Sequence, residues 1–531
     1  MNTRLNHLFD LVVYEIYPKS FYDSNGDGIG DLKGIVEKID HLTELGINAV
    51  WLCPCYKSPF ADNGYDISDY RAIAEAFGTM EDWERLKNEL HARGIKLFMD
   101  FVANHTSDEH FWFQEARKSK DNPYRDYYYW VKEPPNDWQS VFGGSAWEYD
   151  EQTGEYYLHS FAVKQPDLNW TNEKVRKEMQ AVVDFWVEKG VDGFRCDVID
   201  FIAKDFEKGK MYKGEKLHEY IRSLFGRTKT EGLFVVGECQ SDKAEAALLC
   251  GKDRKELSCV LQFDHTNLGR VDKFTPAPYS FDEIRNVLVE WQNYAQEENI
   301  PYVLFTDNHD EGIFISRLGN DKGLRYECAT AYATAFFLLR GIPLLYQGQE
   351  YGRTNSFHTD FSQFSDVETH NYIAENKDKC KTDALLEKIN YGSRDNPRRP
   401  FAWTAIPPDS GFGSEKPWLA FHSSAEEINL ETDISSEKSV FRFYKKLLKL
   451  RRESETLRYG TFKDRTEGRG RFVYERELNG ERVFVVVNSG DEKEISEAVE
   501  GEIVLCNYAD RTDARKVYRP FEAAVYRKGK Q

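Results

Sequence analysis

Short apolar runs alternate with longer amphipathic stretches through most of this chain, and few architectures accept that rhythm. The runs lie at residues 12–17, 49–53, 96–102, 193–198, 233–238, 260–263, 302–305 and 342–346. Between them come patterns with helical spacing, at 32–45, 80–93 and 173–189. A short strand buried on both faces, followed by a one-faced helix, is the βαβ unit, and such units build parallel sheets. Eight of them close a (β/α)8 TIM barrel. At 531 residues the chain exceeds what one core usually supports, so further domains are expected.

Two intervals break the rhythm. Residues 106–170 are rich in Trp, Tyr, Asn and Pro and carry a hairpin-like piece at 147–158 around Gly154. An excursion this long after the third strand reads as an inserted subdomain. A second, irregular excursion at 351–399 follows the eighth strand. Near the C-terminus, residues 471–478 and 482–488 flank Asn479-Gly480, the preferred dipeptide of a type I′ hairpin. Further strands at 502–506 and 523–527 complete a C-terminal antiparallel β domain, reached through a basic helix at 438–452. The expected division is a catalytic barrel over 1–105 and 173–455, an inserted subdomain over 106–172, and a C-terminal β domain over 456–531.

The formal net charge of −19 argues against nucleic-acid phosphates and anionic membranes as partners and suits a neutral substrate. The N-terminus shows no basic start followed by a long apolar core, and no run approaches a membrane span. Nine scattered cysteines, an odd number, read as reduced thiols and a cytoplasmic protein. Cys53-Pro54-Cys55 is too tight for a redox or zinc pair. The sequence sets no oligomeric state, and a monomer is compatible with it.

The active site of such a barrel lies at the C-terminal ends of the strands. Those ends read Asp100-Phe-Val-Ala-Asn104-His105, Arg195-Cys-Asp197, Val236-Gly237-Glu238 and Thr306-Asp307-Asn308-His309-Asp310. Arg195 and Asp197 are two residues apart on one strand, so both point the same way. A neighbouring guanidinium lowers a carboxyl pKa and keeps it ionised, as a covalent nucleophile requires. A structural ion pair would carry the same signature. A metal centre is the other reading of acids and histidines at one face, but there is no HExxH helix and no zinc-spaced cysteine set. Two carboxyls, one ionised and one protonated, are what glycosidic bond hydrolysis needs.

DFVANH, GFRCDVID, VVGE and TDNHD resemble, in order, the four short motifs of the α-amylase superfamily of glycoside hydrolases, family 13. QPDLNW at 165–170 and GIPLLYQGQE at 341–350 resemble two further motifs of that family. The resemblance spans nearly the whole chain. Within the family it is nearest the oligo-1,6-glucosidase and dextran glucosidase group, on YDSNGDGIGDL at 22–32, DNGYDISDY at 62–70, QPDLNW, and SRDNPRRP at 393–400. Val198 also matches the α-1,6-preferring members, whereas α-1,4-preferring members carry a smaller or polar residue there.

The resemblance implies a retaining exo-α-glucosidase acting on short α-1,6 oligosaccharides such as isomaltose or panose. Asp197 would be the nucleophile, Glu238 the acid and then base, with carboxyls about 5–5.5 Å apart, and Asp310 the third carboxylate. Arg195 would orient Asp197, while His105 and His309 would donate to glucose hydroxyls. Tyr65 would be the platform under the sugar, Asp62 and Arg398 would close the pocket behind its non-reducing end, and Phe142 would wall it. In the group, the loop Asp23-Ser-Asn25-Gly-Asp27-Gly-Ile29-Gly-Asp31 binds one structural calcium through Asp23, Asn25, Asp27, the Ile29 carbonyl and Asp31. No organic cofactor is implied.

The chain departs from the group in places. Thr306 and Asp307 stand where a tryptophan and an asparagine are usual, Glu311-Gly-Ile replaces a Gln-Pro-Arg run, and Gln349 stands where an acid is common. These changes leave open an α-1,4-glucosidase, a sucrose- or trehalose-type hydrolase, or a transglucosylase with the same machinery. The arginine-rich loop of sucrose isomerases is represented only by Arg317. A non-catalytic sugar-binding relative is the remaining alternative, and the retained carboxylates speak against it.

Overall fold

The computed structural model describes residues 7–239, 242–251, 256–494, 499–511 and 517–529. Eight parallel strands form one sheet: β1 Val13–Ile16, β2 Ala49–Leu52, β3 Lys96–Val102, β4 Gly193–Asp197, β5 Phe234–Glu238, β6 Cys259–Leu261, β7 Val303–Leu304 and β8 Ile342–Tyr346. Their hydrogen-bonded order is β6-β5-β4-β3-β2-β1-β8-β7. A parallel bridge between Val260 and Tyr302 brings the two ends together, so the sheet closes into the expected barrel.

Period-2 alternation sorts the side chains. Val13 joins Trp51, Phe98, Phe234, Val236 and Leu344 in the barrel interior, where Phe98 and Phe234 stack at 4.5 Å. Tyr14, Ile16, Val50, Leu97 and Met99 face outward into the larger core shared with the helices. Each fully buried side chain of this size contributes about 1.5–3 kcal/mol.

The helices begin and end where their caps dictate. Met80–Ala92 starts from a reciprocal capping box between Thr79 and Asp82, and Glu173–Lys189 stops at Gly190, whose φ of 92° suits glycine. The stretch expected as one helix over 32–45 is two, Leu32–Glu37 and Ile39–Leu45, broken at Lys38. Within the excursion after β3, strands Trp130–Val131, Trp147–Asp150 and Glu155–Leu158 form their own antiparallel sheet. The bridge His105–Asp167 ties that segment to the barrel mouth, and Tyr128–Leu168 joins two parts of the segment itself.

The excursion after β8 is helical, contrary to expectation, with helices Val367–Asn376 and Thr382–Gly392. Its apolar residues Phe364, Ile373, Leu385 and Ile389 bury against Phe274 in a small core of their own. The C-terminal sheet runs Thr461–Asp464, Arg471–Leu478, Glu481–Asn488, Ala523–Lys528, Glu502–Cys506, all antiparallel. Asn479 and Gly480 both take positive φ, 52° and 84°, as a type I′ turn demands. The helix Arg325–Phe337 packs against both the barrel and this sheet, and is buried from Glu327 to Phe337. Among the described residues no helix is long and apolar enough to cross a membrane, and all nine cysteines are free, seven of them buried.

Candidate active site

Strand register creates the centre of the site. Asp100 of β3 lies beside Arg195 of β4, Val102 beside Asp197, and Glu238 ends the neighbouring β5. The Arg195 guanidinium, 1% exposed, donates from one nitrogen to Asp197 at 2.7 Å and to both oxygens of Asp100 at 3.0 and 3.2 Å. Its other nitrogen donates to Glu238 Oε2. Asp100 also accepts from Trp51 Nε1 at 3.1 Å and Tyr65 Oη at 3.0 Å, so three donors fix it. The sequence reading overlooked Asp100, although it opens the DFVANH motif.

The electrostatics differ from the sequence expectation. Burial pushes the Asp197 carboxyl well up, and Glu238 and Asp100 add to the push while Arg195 opposes it. One guanidinium is shared among three carboxylates, so around Asp197 the negative charges outnumber the positive one. With a proton on Glu238 the like-charge contribution to Asp197 vanishes, and Arg195 at 2.7 Å then favours its anion.

Val198 follows Asp197 in the left-handed region, φ 31° and ψ 49°. A β-branched side chain is strained there, at a cost of about 1–3 kcal/mol. The strained turn aims the Val198 N–H at Glu238 Oε2, 3.1 Å away. The Val198 side chain packs against a cluster of Phe142, Phe161 and Phe201, so Phe142 and Val198 belong to one apolar wall.

His309 and Asp310 follow β7. His309 Nε2 lies 2.9 Å from Asp310 Oδ2 and 2.7 Å from Tyr65 Oη, and the Tyr65 and His309 rings are parallel at 5.3 Å. Arg398 donates to Asp310 Oδ1 at 2.6 Å and to the His309 carbonyl at 3.0 Å. Burial works against the Asp310 charge, but His309, Arg398 and Arg394 outweigh it and hold its carboxyl well below the usual range. His105 has its two nitrogens against Asn104 and Gln165, each at 3.1 Å, and burial lowers its pKa to about 4, so it is neutral.

At the back of the pocket two arginines meet two acids. Asp62 meets Arg394 at 3.0 Å and Gln165 at 3.1 Å, while Arg398 meets Asp310. Arg394 also reaches Asp366 at 2.7 Å and Asp310 at 3.5 Å, with its guanidinium 4.5 Å from the Phe142 ring centre. Arg394, Gln165 and Asp366 were not singled out. Arg394 and Gln165 sit inside the SRDNPRRP and QPDLNW motifs, but which arginine faces Asp62 depends on the turn of helix Asp395–Arg398. Asp366 carries no sequence signal of its own.

The departures explain one another. Thr306 donates to Asp307 at 2.7 Å, so its oxygen needs a donor, and Gln349 Nε2 supplies one at 2.8 Å. A carboxylate at 349 could not donate. Gln349 also donates to Tyr444 Oη at 3.2 Å and accepts from the Tyr346 N–H at 3.2 Å. Glu311 pairs with Arg270 at 2.6 Å and Arg317 at 3.2 Å, so an ion-pair cluster fixes the loop after Asp310.

In the loop over 23–31, Asp23 accepts from the Asn25, Gly26 and Gly28 N–H groups, Asn25 from Asp27, and Asp27 from Ile29. Asp31 caps the next helix through Gly34. These all-oxygen donors suit a hard cation. Among the described residues, the group of acid, His and Cys side chains whose ligand atoms lie within 4.8 Å of one another is Glu15, Cys53 and His309, and not this loop.

Residues 15–460 match the family model described as alpha amylase, catalytic domain. The chain is 42% identical to the oligo-1,6-glucosidase of Parageobacillus thermoglucosidasius, covering 98% of each, and 39% identical to the trehalose-6-phosphate hydrolase of Bacillus subtilis, covering 97% of each. The crystal structure of Bacillus licheniformis trehalose-6-phosphate hydrolase superposes with a TM-score of 0.90 at 37% identity, covering 98% of this chain and 99% of that one. An isomaltulose synthase of Erwinia rhapontici with bound sucrose gives 0.93 at 34% identity, covering 98% of each. A TIM barrel whose strand ends carry Asp197, Glu238 and Asp310 around buried arginines, matched over this length, belongs to the alpha-amylase family of glycoside hydrolases.

Proposed function

We propose that the enzyme releases single glucose units from the non-reducing ends of short α-1,6-linked oligosaccharides, with retention. The observation that carries this reading is the set of ion pairs behind the carboxylates. Arg394 links Asp62, Asp310 and Asp366, and Arg398 backs Asp310. Such a wall ends the pocket after one sugar, which makes cleavage exo. The α-1,6 preference is supported by the relatives named oligo-1,6-glucosidase and glucan 1,6-alpha-glucosidase, several at 42% identity, and by Val198.

In the first step Glu238 gives its proton to the glycosidic oxygen as an Asp197 oxygen attacks the anomeric carbon; the C–O bond breaks and a β-glucosyl ester forms. In the second, ionised Glu238 takes a proton from water, whose oxygen attacks the same carbon and frees Asp197. Arg195 holds Asp197 in line, and Asp310 grips hydroxyls of the distorted ring. His105, neutral, donates to the same glucose, His309 bears on it through the Asp310 carboxylate that its Nε2 faces, Tyr65 packs against its C–H face, and Phe142 and Val198 form one apolar wall of the pocket.

Initial rates on isomaltose, panose, maltose, sucrose, trehalose, trehalose 6-phosphate and kojibiose, with products identified, test the reading. Isomaltose and panose are expected to exceed the others at least tenfold in kcat/KM. A maximum on maltose, sucrose or a trehalose would replace the linkage assignment.

We infer further that the loop over 23–31 takes one calcium through Asp23, Asn25, Asp27, the Ile29 carbonyl and Asp31. The ion would supply charge neutralisation to Asp23 and Asp31, both buried. A chelator is expected to lower the melting temperature without competing with substrate. An unchanged melting curve with no calcium by elemental analysis would leave the loop a turn held by its own N–H groups.

A further inference from the structure

Glu15 has no part in the chemistry described above, yet it lies directly beneath it. It stands on β1, faces the barrel interior and is fully buried. Its Oε1 accepts from His309 Nδ1 at 2.5 Å and from the His309 N–H at 3.3 Å, with Cys53 Sγ at 3.5 Å. Its Oε2 is buried without a hydrogen-bond partner. A buried carboxylate oxygen left bare is costly, and such a cost persists where another interaction needs the charge.

That interaction runs through the His309 ring. Nδ1 faces one carboxylate, Glu15, and Nε2 faces another, Asp310, at 2.9 Å. A neutral imidazole carries one proton and could donate to only one of two carboxylates; with both ionised, both contacts are satisfied only by an imidazolium, and although burial raises the Glu15 carboxyl, His309 and Arg195 oppose that rise. Tyr65 and Tyr17 hold the ring by parallel stacking and Trp51 by an edge, so it has little room to turn. The other groups facing the pair are Cys53 just past β2, Asp100 on β3, Arg195 on β4, and Arg398 beyond Tyr17.

We propose that Glu15 is a positioning residue: it keeps His309 doubly protonated, so that Nε2–H holds Asp310 ionised and in place for the sugar. The proposal rests on the role given to Asp310. Burial opposes the His309 charge, but Asp310, Cys53 and Glu15 outweigh it and hold the imidazolium pKa well above its usual value. A raised pKa means the charged form is complete at low pH and is lost as pH rises through the raised value.

Glu15→Gln tests this, because the amide oxygen still accepts from Nδ1 while the charge is gone. The alkaline limb of kcat/KM is expected to move down by about one pH unit or more, the size of one nearby charge–charge interaction at intermediate dielectric. Ring-labelled histidine NMR on the full chain gives a readout independent of activity, with the His309 signal identified by its loss in His309→Asn. His309 is expected to stay doubly protonated to higher pH in the parent than in Glu15→Gln, where its pKa should fall back toward the ordinary histidine range. A His309 signal with the same titration in both proteins would overturn the proposal, whatever the activity. An unshifted histidine pKa in a variant of lowered melting temperature would make Glu15 a packing residue. Loss of a role for Asp310 would appear instead as Asp310→Asn retaining activity with the histidine titration of Glu15→Gln still shifted.

Discussion

Two groups of buried arginines in this molecule face opposite kinds of partner. At the barrel mouth Arg195, Arg394 and Arg398 meet carboxylates. Between the barrel and the C-terminal sheet, Arg451 donates to the carbonyls of Phe337, Leu339 and Gly341, and Arg476 to those of Leu338, Leu457 and Gly460. At the mouth, burial opposes the charge but the acids outweigh it, so Arg195 and Arg394 are held well above the usual range. At the interface burial prevails, lowering Arg451 to about 10 and Arg476 to about 9. Both remain cationic at neutral pH.

The difference teaches what each set is for. Helix Arg325–Phe337 ends at Phe337, with Leu338 as its cap and Leu339 just beyond, and its last carbonyls lack intrahelical partners and carry the negative end of the helix dipole. Arg451 and Arg476 satisfy those carbonyls and so fasten the C-terminal sheet to the barrel. The mouth arginines order carboxylates that would otherwise repel one another. One set supports stability, the other reactivity.

Substitution should separate them. The largest effect is expected for Arg195→Met, where kcat/KM on isomaltose should fall by roughly a thousandfold or more, since Asp197 loses its orienting donor and three carboxylates are left to share protons. Its melting temperature should change far less; a fall in activity matched by a collapse in stability would erase the distinction. Arg451→Met should do the reverse, costing about 3 kcal/mol in denaturant unfolding by leaving several buried carbonyls without donors, with kcat of the folded enzyme within about twofold of the parent. A strong loss of kcat there would mean the interface reaches the site. The smallest effect is expected at the apolar wall: Val198→Thr should move the isomaltose-to-maltose ratio of kcat/KM toward maltose by severalfold, about 1 kcal/mol. An unchanged ratio would remove Val198 from the linkage assignment and leave its strained backbone, aimed at Glu238, as its whole contribution.

The sequence by itself determined the eight strands, their helices and the carboxylates at the strand ends. Apolar periodicity and caps act over a few residues, and β3 and β8 fall where the apolar runs put them. The motifs carried Asp197, Glu238 and Asp310 for the same local reason. Partners distant along the chain were a different matter. Glu15 meets His309 across 294 positions and Arg394 meets Asp62 across 332, contacts that exist only because β8 returns to pair with β1 and close the barrel. Gln349, unexplained as a letter, became the donor that Thr306 requires. The direction of the Asp197 pKa also depended on the tertiary structure, since burial and the neighbouring Glu238 and Asp100 outweigh the one arginine visible two residues away. Local sequence sets where each charge sits on its strand; closure of the barrel sets which charges it must live beside.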